Sequence, residues 1–291
     1  MYLVVPNDIK DIEIYKEHGI DTFILGLKDY SVNYPIVSIE EIKELSTKYK
    51  LFIAVNKNMF NSELDDLLSK LKELSKLNIL GILYYDIGVL NLVKENDISL
   101  DLVWHQTHMV TNYNTCNYYY EKGVKYAYLA NEITLDEMIE IKNKSNIIPI
   151  VEVFGYPIVS FSRRKLLTNY FKSIDKERTK DLYKLDDKDG SLLIKENNDG
   201  ASILNGKITN GTRPLFDLIN NNFEYLVLDM QEIDLEISLK ILDKYMYILE
   251  NISIITDEEK EGIISYTNNL VGDNTNFFYK KTIYKVKKGD K

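Results

Sequence analysis

Apolar residues recur along this chain in short runs that alternate with longer amphipathic stretches. Runs at residues 2–5, 22–25, 51–55, 79–85, 99–103, 126–129, 147–154 and 225–228 have the length and composition of buried strands. The stretches between them carry helix signals. Asp8 opens a helix that Gly19 closes. Ser38 with Glu41, and Thr134 with Glu137, have the spacing of capping boxes. After Ser62, Leu64, Leu67, Leu68, Leu71 and Leu74 recur with helical period. Further helices fall at 87–94, 111–122 and 235–249. Eight strands, each followed by a helix except where the seventh unit is interrupted, predict an α/β fold of the (β/α)8 TIM-barrel type. A doubly wound open sheet has the same period, so periodicity alone does not separate the two. The interruption, residues 173–213, is charged and predicts a small β insertion after the seventh strand, with candidate strands at 191–194 and 201–204 around the turn Asn198-Asp199-Gly200. The barrel then spans 1–255, and 256–291 form a C-terminal extension ending in a basic tail.

Composition narrows the function classes. Of 291 residues, 45% are hydrophobic and 28% charged, a globular balance. A single cysteine, Cys116, excludes a disulfide framework, a cysteine-rich zinc site and a cysteine-ligated iron–sulfur cluster. Lys plus Arg total 36 against 45 Asp plus Glu, a net charge of −9, which argues against a globally basic nucleic-acid binder. No stretch of 18 apolar residues occurs, and the N-terminal segment lacks a basic leader, so the expectation is a cytoplasmic protein off the membrane. The lean to Lys, Ile, Asn and Tyr is what an AT-rich genome gives, so Lys and Tyr abundance carries no argument. Arginine is scarce, and the adjacent pair Arg163-Arg164 stands out against that background.

In a barrel of this type, chemistry belongs at the C-terminal ends of the strands. Asn56, Asp86, His105, His108, Asn131, Glu132, Glu152 and Asp229 all fall at such ends. A polar ring of this kind could bind a small polar ligand, although any barrel mouth is polar. His105 and His108 follow a strand and lack an HExxH context, so a metal site is not expected. Residues 184–190 imitate part of a calcium loop, but Leu185 stands where the first oxygen ligand belongs, and Asp189-Gly190 is expected to be a turn. There is no GxSxG elbow and no Gly-rich phosphate loop, and Cys116 has the setting of a buried helical residue rather than a nucleophile. Arg163, Arg164 and Lys165 follow the seventh strand closely enough to meet a carboxylate or phosphate, or else to hold acids of the insertion. In the tail, Lys280, Lys281, Lys285, Lys287 and Lys288 are candidates for phosphate contact.

The stretch from Glu152 to Phe171 resembles the signature of the collagenase-like peptidases of unassigned mechanism, through Glu152, Phe154, Gly155, Ser160, Phe161, Ser162, Leu166 and Leu167. The resemblance continues in Leu25-Gly26-Leu27-Lys28, in residues 86–90 and 110–112, and in residues 129–137. Residues 104–118, 162–171 and 277–284 are similar to a short, cysteine-poor branch of that family. Membership of that branch implies the smaller partner in prephenate-dependent hydroxylation of the tRNA wobble uridine, acting beside a larger family member that carries an iron–sulfur cluster. It implies Glu152 and Glu132 as catalytic groups. It also implies Arg163, Arg164, Lys165, His105 and Asn131 as substrate contacts, the lysines of the tail as tRNA contacts, and prephenate as co-substrate. The departures are Ile158 and Lys165 where larger members have cysteines, so no cluster is expected on this chain, and Asn131 where an Arg is usual. Asp229-Met230-Gln231 also replaces a glycine–basic sequence. Losing basic groups at the mouth favours a supporting subunit. The family's name supplies the alternative of a peptidase, and a barrel that only binds a partner protein is a third reading.

Overall fold

The computed structural model describes residues 1–187 and 190–281. Lys285, Lys287, Lys288 and the expected turn at Asp189 lie outside the described residues. In chain order the strands are β1 (Tyr2–Val5), β2 (Thr22–Leu27), β3 (Ile36–Val37), β4 (Lys50–Val55), β5 (Gly81–Tyr84), β6 (Leu102–Trp104), β7 (Tyr126–Tyr128), β8 (Ile148–Gly155), β9 (Ile158–Ser162), β10 (Leu182–Asp187), β11 (Gly190–Glu196), β12 (Ala201–Asn205), β13 (Thr209–Asn210) and β14 (Tyr225–Asp229). The helices are α1 (Ile12–Glu17), α2 (Ile39–Leu45), α3 (Leu64–Leu74), α4 (Ile87–Glu95), α5 (Tyr113–Glu121), α6 (Leu135–Lys144), α7 (Leu166–Ser173), α8 (Thr212–Asn220), α9 (Leu235–Asn251) and α10 (Asp257–Val271).

Eight parallel strands pair in the order β1-β14-β8-β7-β6-β5-β4-β2, and β2 pairs back onto β1 through Val4 and Phe23. That last pairing closes the sheet and decides for the (β/α)8 barrel over an open sheet. The capping boxes form as expected at Ser38–Glu41 and Thr134–Glu137, and a third, Thr256–Glu259, starts α10. The fifth barrel strand, β6, is shorter than its apolar run and begins at Leu102; Asp101, just before it, pairs with Lys125.

Alternation along the strands divides the core in two. Outward residues such as Val4, Leu51, Ile53 and Val151 meet the helices. Inward residues, among them Leu3, Ile24, Phe52, Val103, Tyr126, Ile150 and Val227, fill the barrel. Phe52, Tyr126 and Tyr225 meet edge to face there, with centroids 5.4–6.0 Å apart. The next inward position on four strands, moving toward the C-terminal ends, is not apolar. It is His105 after Val103, Tyr128 after Tyr126, Glu152 after Ile150, and Asp229 after Val227. A register shift just beyond Glu152 lets the consecutive residues Val153 and Phe154 both pack on the helix side.

The excursion after the seventh strand is larger than its charged composition suggests. β9, β12, β11 and β10 form an antiparallel sheet, and its first strand in chain order is the serine and aromatic run at 158–162. The Asn198-Asp199-Gly200 turn joins β11 to β12, with Asn197 Oδ1 accepting from the backbone N–H of Asp199 and Gly200. The aborted calcium-like stretch lies largely in β10, which pairs along β11. β13 then returns antiparallel to β8 before α8 resumes the barrel alternation.

Glu196, on β11, ties the excursion together. Its side chain is 2% exposed. It accepts from the N–H groups of Leu167 (2.7 Å) and Thr168 (3.2 Å) and from the Thr168 hydroxyl, and Arg178 lies 3.5 Å away. It therefore caps the first turn of α7, where Lys165 supplies no side-chain cap. Burial works to raise its pKa, but these donors and Arg178 outweigh it and hold the carboxyl below its usual range. A depressed acid adds stability above its unfolded pKa and loses it as pH falls through the folded value. The Glu196→Ala variant should make residues 163–180 the first protease-cleaved segment while the barrel's helical signal stays unchanged; limited proteolysis with mass mapping checks this. Gly155 adopts φ +131°, and a Cβ there would sit 2.5 Å from the Asp229 carbonyl oxygen. Gly155→Ala should destabilise the barrel by about 2 kcal/mol or more, read from denaturant midpoints.

Candidate functional site

The polar inward layer is the floor of a chamber at the C-terminal mouth. Tyr128, Glu152, Asp229 and His105 come from the strands, and Tyr34 comes from the loop after β2. The excursion supplies one wall through Tyr156, Pro157, Ile158 and Val159, and Asn276 and Phe277 of the C-terminal segment supply another. The C-terminal segment is fastened there by Asn276 Nδ2 donating to the Asn131 carbonyl (3.1 Å) and Leu135 N–H donating to the Phe278 carbonyl (2.9 Å). The chamber holds about 90 Å3. A neighbouring hollow of about 170 Å3, reaching toward Asn56, Asn58 and Ser160, shares the wall of His105, Thr107, His108, Ile158 and Val159.

Electrostatics on the floor are set by desolvation. Burial pushes the Glu152 carboxyl up to about 7; the nearby Asp229 charge adds to the rise, and the Tyr128 hydroxyl and Asn131 amide oppose it. Tyr128 donates to Glu152 Oε2 at 2.9 Å. Burial lifts Asp229 to about 6, against the Gln231 N–H, the Lys195 charge and the Gln231 amide. His105 is pushed down to about 4 by burial, so its imidazole is neutral near pH 7. Its ring lies 4.3 Å from that of Tyr128. Burial holds the Tyr34 and Tyr128 hydroxyls well above their usual range, so both stay protonated. Glu152 Oε1, Asn33 Oδ1 and His105 Nδ1 are buried without a hydrogen-bond partner among the described residues. The chamber lining contains no lysine or arginine among the described residues.

Of the residues expected at the site, the structure brings Glu152, Glu132, His105 and Asn131 to this chamber. Glu132 stands at its rim, 3.2 Å from His108 Nδ1, with both side chains about half exposed. The three consecutive cations sit elsewhere. Arg163 stacks 3.8 Å above the Phe60 ring, donates to the Asn58 carbonyl (3.0 Å) and pairs with Glu63 (3.3 Å). Its acid is thus on the barrel's own loop after β4 rather than in the insertion. Lys165 donates to the Asn197 carbonyl, and Arg164 is exposed. Lys280 and Lys281 are exposed at the end of the C-terminal segment. Cys116 is buried on α5, its thiol pushed up to about 12 by desolvation. Sequence reasoning passed over Tyr34, Asn33 and Tyr128. The signal for Tyr128 was present, since Tyr126 and Tyr128 share one face of a strand; Tyr34 and Asn33 come from a loop with no periodicity to read.

The sign of the Glu152 shift gives a stability test. With a folded pKa raised to about 7, stability is full below the unfolded value near 4.5 and is lost as pH rises through the folded value. Glu152→Gln removes the titration. It should stabilise the protein relative to wild type by about 1–3 kcal/mol near pH 8, and the gain should vanish near pH 5. Urea midpoints of both proteins across that range provide the check.

The chain is 27% identical to tRNA hydroxylation protein P2 of Bacillus subtilis (strain 168), over 97% of this chain and 98% of that protein. It is 25% identical to tRNA hydroxylation protein P1 of the same organism over 60% of this chain, which spans 43% of that relative. Among solved structures it is similar to the U32 peptidase Mk0906, with 13% identity, a TM-score of 0.45 and coverage of 53% of this chain and 69% of that one. The family model for Peptidase family U32 matches residues 7–282, spanning the barrel after β1, the excursion and the C-terminal segment that walls the chamber, and the chain belongs to that family.

Proposed function

We propose that this protein acts in tRNA hydroxylation as a supporting subunit beside a larger member of its family. The observation that carries this reading is the end-to-end match to a relative named for tRNA hydroxylation, with a second, partial match to a longer relative of similar name. In this reading the modified base is the wobble uridine, hydroxylated at C5 with prephenate as co-substrate. The chemistry of this chain is what supports leaving the prephenate and cluster steps to the larger partner. A dicarboxylate needs cations, and the chamber lining holds three carboxyls, Glu132, Glu152 and Asp229, with no lysine or arginine among the described residues. A cysteine-ligated cluster needs several thiols, and Cys116 is the single cysteine.

The tRNA would be met outside the chamber. Arg164, Lys165, Lys280 and Lys281 are the candidate phosphate contacts among the described residues, with Lys285, Lys287 and Lys288 continuing the series in sequence. Glu152 and Glu132 keep their candidacy as groups that hold or move protons at the mouth. The family's name is what favours a peptidase, and hydrolysis of gelatin that disappears in Glu152→Gln would support that second reading.

Nucleoside mass spectrometry of bulk tRNA tests the proposal. A strain lacking this gene, and lacking the larger relatives if they overlap with it, should lose 5-hydroxyuridine-type nucleosides, and the wild-type gene should restore them. An unchanged profile in the combined deletion overturns the assignment. The triple variant Arg164→Ala, Lys280→Ala, Lys281→Ala should weaken tRNA binding to the complex about uniformly across tRNA sequences. Its slope of log affinity on log salt should fall by up to about 2–3, measured by filter binding.

A further inference from the structure

We infer that the exposed face of the excursion made by α7 and the segment leading into β10 binds single-stranded RNA, with Tyr170 stacking on an unpaired base and Lys172, Lys176 and Lys180 meeting the phosphates beside it. This deepens the tRNA reading and rests on it only for which RNA is bound. Two observations carry the surface itself. The first is a reversal of charge. Residues 163–184 hold eight Lys or Arg against three Asp or Glu, in a chain whose net charge is −9. Part of that charge is used internally: Arg163 pairs with Glu63, Arg178 with Glu196 and Asp181, and Lys184 with Asp186. Arg164, Lys172, Lys176 and Lys180 are exposed and form no ion pair among the described residues. Asp181 is taken by Arg178, which leaves Asp175 and Glu177 as the acids set against those four. A local excess of unpaired cations on an acidic chain is the electrostatic footprint of a polyanion.

The second observation is a run of three rings. Asn169, Tyr170, Lys172 and Ser173 form one exposed arc of α7, opposite the buried Leu167, and Tyr170 is 58% exposed. Its ring meets Phe171 edge to face at 5.4 Å, and Phe171 meets Tyr183 of β10 at 5.1 Å. The Tyr183 hydroxyl accepts from the backbone N–H groups of Thr179 (2.9 Å) and Lys180 (3.0 Å), which fixes the far end of the run. Backbone bonds also bring the cations to the rings. Lys180 is held at Tyr183 in this way, and the Lys176 N–H donates to the Phe171 carbonyl at 3.0 Å. Glu196 anchors the first turn of α7 through the N–H groups of Leu167 and Thr168. Tyr170 is therefore an open ring held in place among unpaired cations. The cations select a polyanion over an apolar protein surface, and the ring selects a single strand. Bases in a duplex have their faces covered by their neighbours, whereas an unpaired base offers one for stacking. In the tRNA reading that unpaired segment is the anticodon loop, where the wobble base lies.

The test uses the full chain and a labelled oligouridine of about twelve nucleotides, alone and annealed to its complement, with binding followed by fluorescence anisotropy from about 50 to about 300 mM salt. The expected result is saturable binding of the single strand. Tyr170→Ala should weaken it by about tenfold with the salt slope kept, and should leave the affinity for the duplex unchanged. Tyr170→Phe, which keeps the ring, should keep the binding. Replacing Lys172, Lys176 and Lys180 together by Ala should lower the slope of log affinity on log salt by about 2. Tyr247→Ala, at an exposed tyrosine on α9, leaves binding unchanged. No saturable binding of the single strand, binding untouched by Tyr170→Ala, an equal loss on the duplex, or a slope unmoved by the lysine variant would each overturn the inference. So would a Tyr170→Ala variant that binds RNA normally and loses the larger family member, which would give the face to a protein partner. The tRNA reading fails separately: an unchanged nucleoside profile in the combined deletion sinks it and leaves Tyr170-dependent binding of the single strand standing.

Discussion

Two carboxyl groups set inside the barrel, Glu152 and Asp229, constrain everything else at its mouth. An ionised carboxylate out of water is costly unless a cation or several donors answer it. Here the answer is partial. Asp229 receives the Gln231 N–H at 3.0 Å and the Gln231 side-chain amide at 3.4 Å, and Glu152 receives the Tyr128 phenol at 2.9 Å, with the Asn131 amide also favouring its charge. The remainder of the cost is carried by protonation, which is why burial lifts both groups toward neutrality. Their location follows from strand geometry. Each lies two residues beyond an apolar inward residue on neighbouring parallel strands; Glu152 pairs with Val227, so Asp229 stands one inward step further along β14. On β8 the packed core ends at Ile150 and on β14 at Val227, and a polar residue takes the next inward position on each.

The walls follow from a different set of charges. Lys57, only 7% exposed, lies 3.2 Å from Glu63 and 3.6 Å from Asp199, and donates to the Asp29 carbonyl at 2.6 Å. Arg163 reaches the same Glu63 from the excursion. Glu63 is pulled below its usual range: burial opposes the shift, and the Phe60 N–H, Lys57 and Arg163 overcome it. This cluster joins the loop after β4, the loop after β2 and the β11–β12 turn, and so seats the excursion over one side of the mouth. The scarce arginine that looks in sequence like a ligand contact is thereby occupied with holding the roof. A guanidinium stacked on Phe60 and paired with Glu63 is pre-organised for that purpose, which a lysine would serve less well.

Much of the barrel was legible because it rests on local signals. Apolar runs with intervening capping boxes locate the eight strands, and Ser38–Glu41 and Thr134–Glu137 start helices where their spacing says they do. Closure was not legible, since the β1–β2 pairing joins Val4 to Phe23 in space and leaves no trace in either run. The site was half legible. Glu152, His105 and Asn131 declare themselves as polar residues at strand ends, and the step-two relation to Val103, Tyr126, Ile150 and Val227 shows which of the polar residues point inward. Tyr34, Asn33 and the C-terminal Asn276 and Phe277 reach the chamber by tertiary packing alone. β9 was hidden because its run, Ile158-Val159-Ser160-Phe161-Ser162, is half exposed and finds its partner in β12, some forty residues on.

The distribution of charge bears on how such a chain could take part in chemistry on a polyanion. The net charge is −9, and the chamber floor adds carboxyls where a phosphate or dicarboxylate would have to approach. Long-range repulsion of that sign slows an anionic partner unless a local cationic surface overrides it within about a Debye length, roughly 8–10 Å in physiological salt. Among the described residues, Arg164 on the excursion and Lys280 and Lys281 after Phe278 are exposed, and none of them lines the chamber. The C-terminal segment that carries those lysines is also a wall of the chamber, through Asn276 and Phe277. Asn276 and Phe277 therefore tie the position of the C-terminal segment to the wall that encloses Glu152.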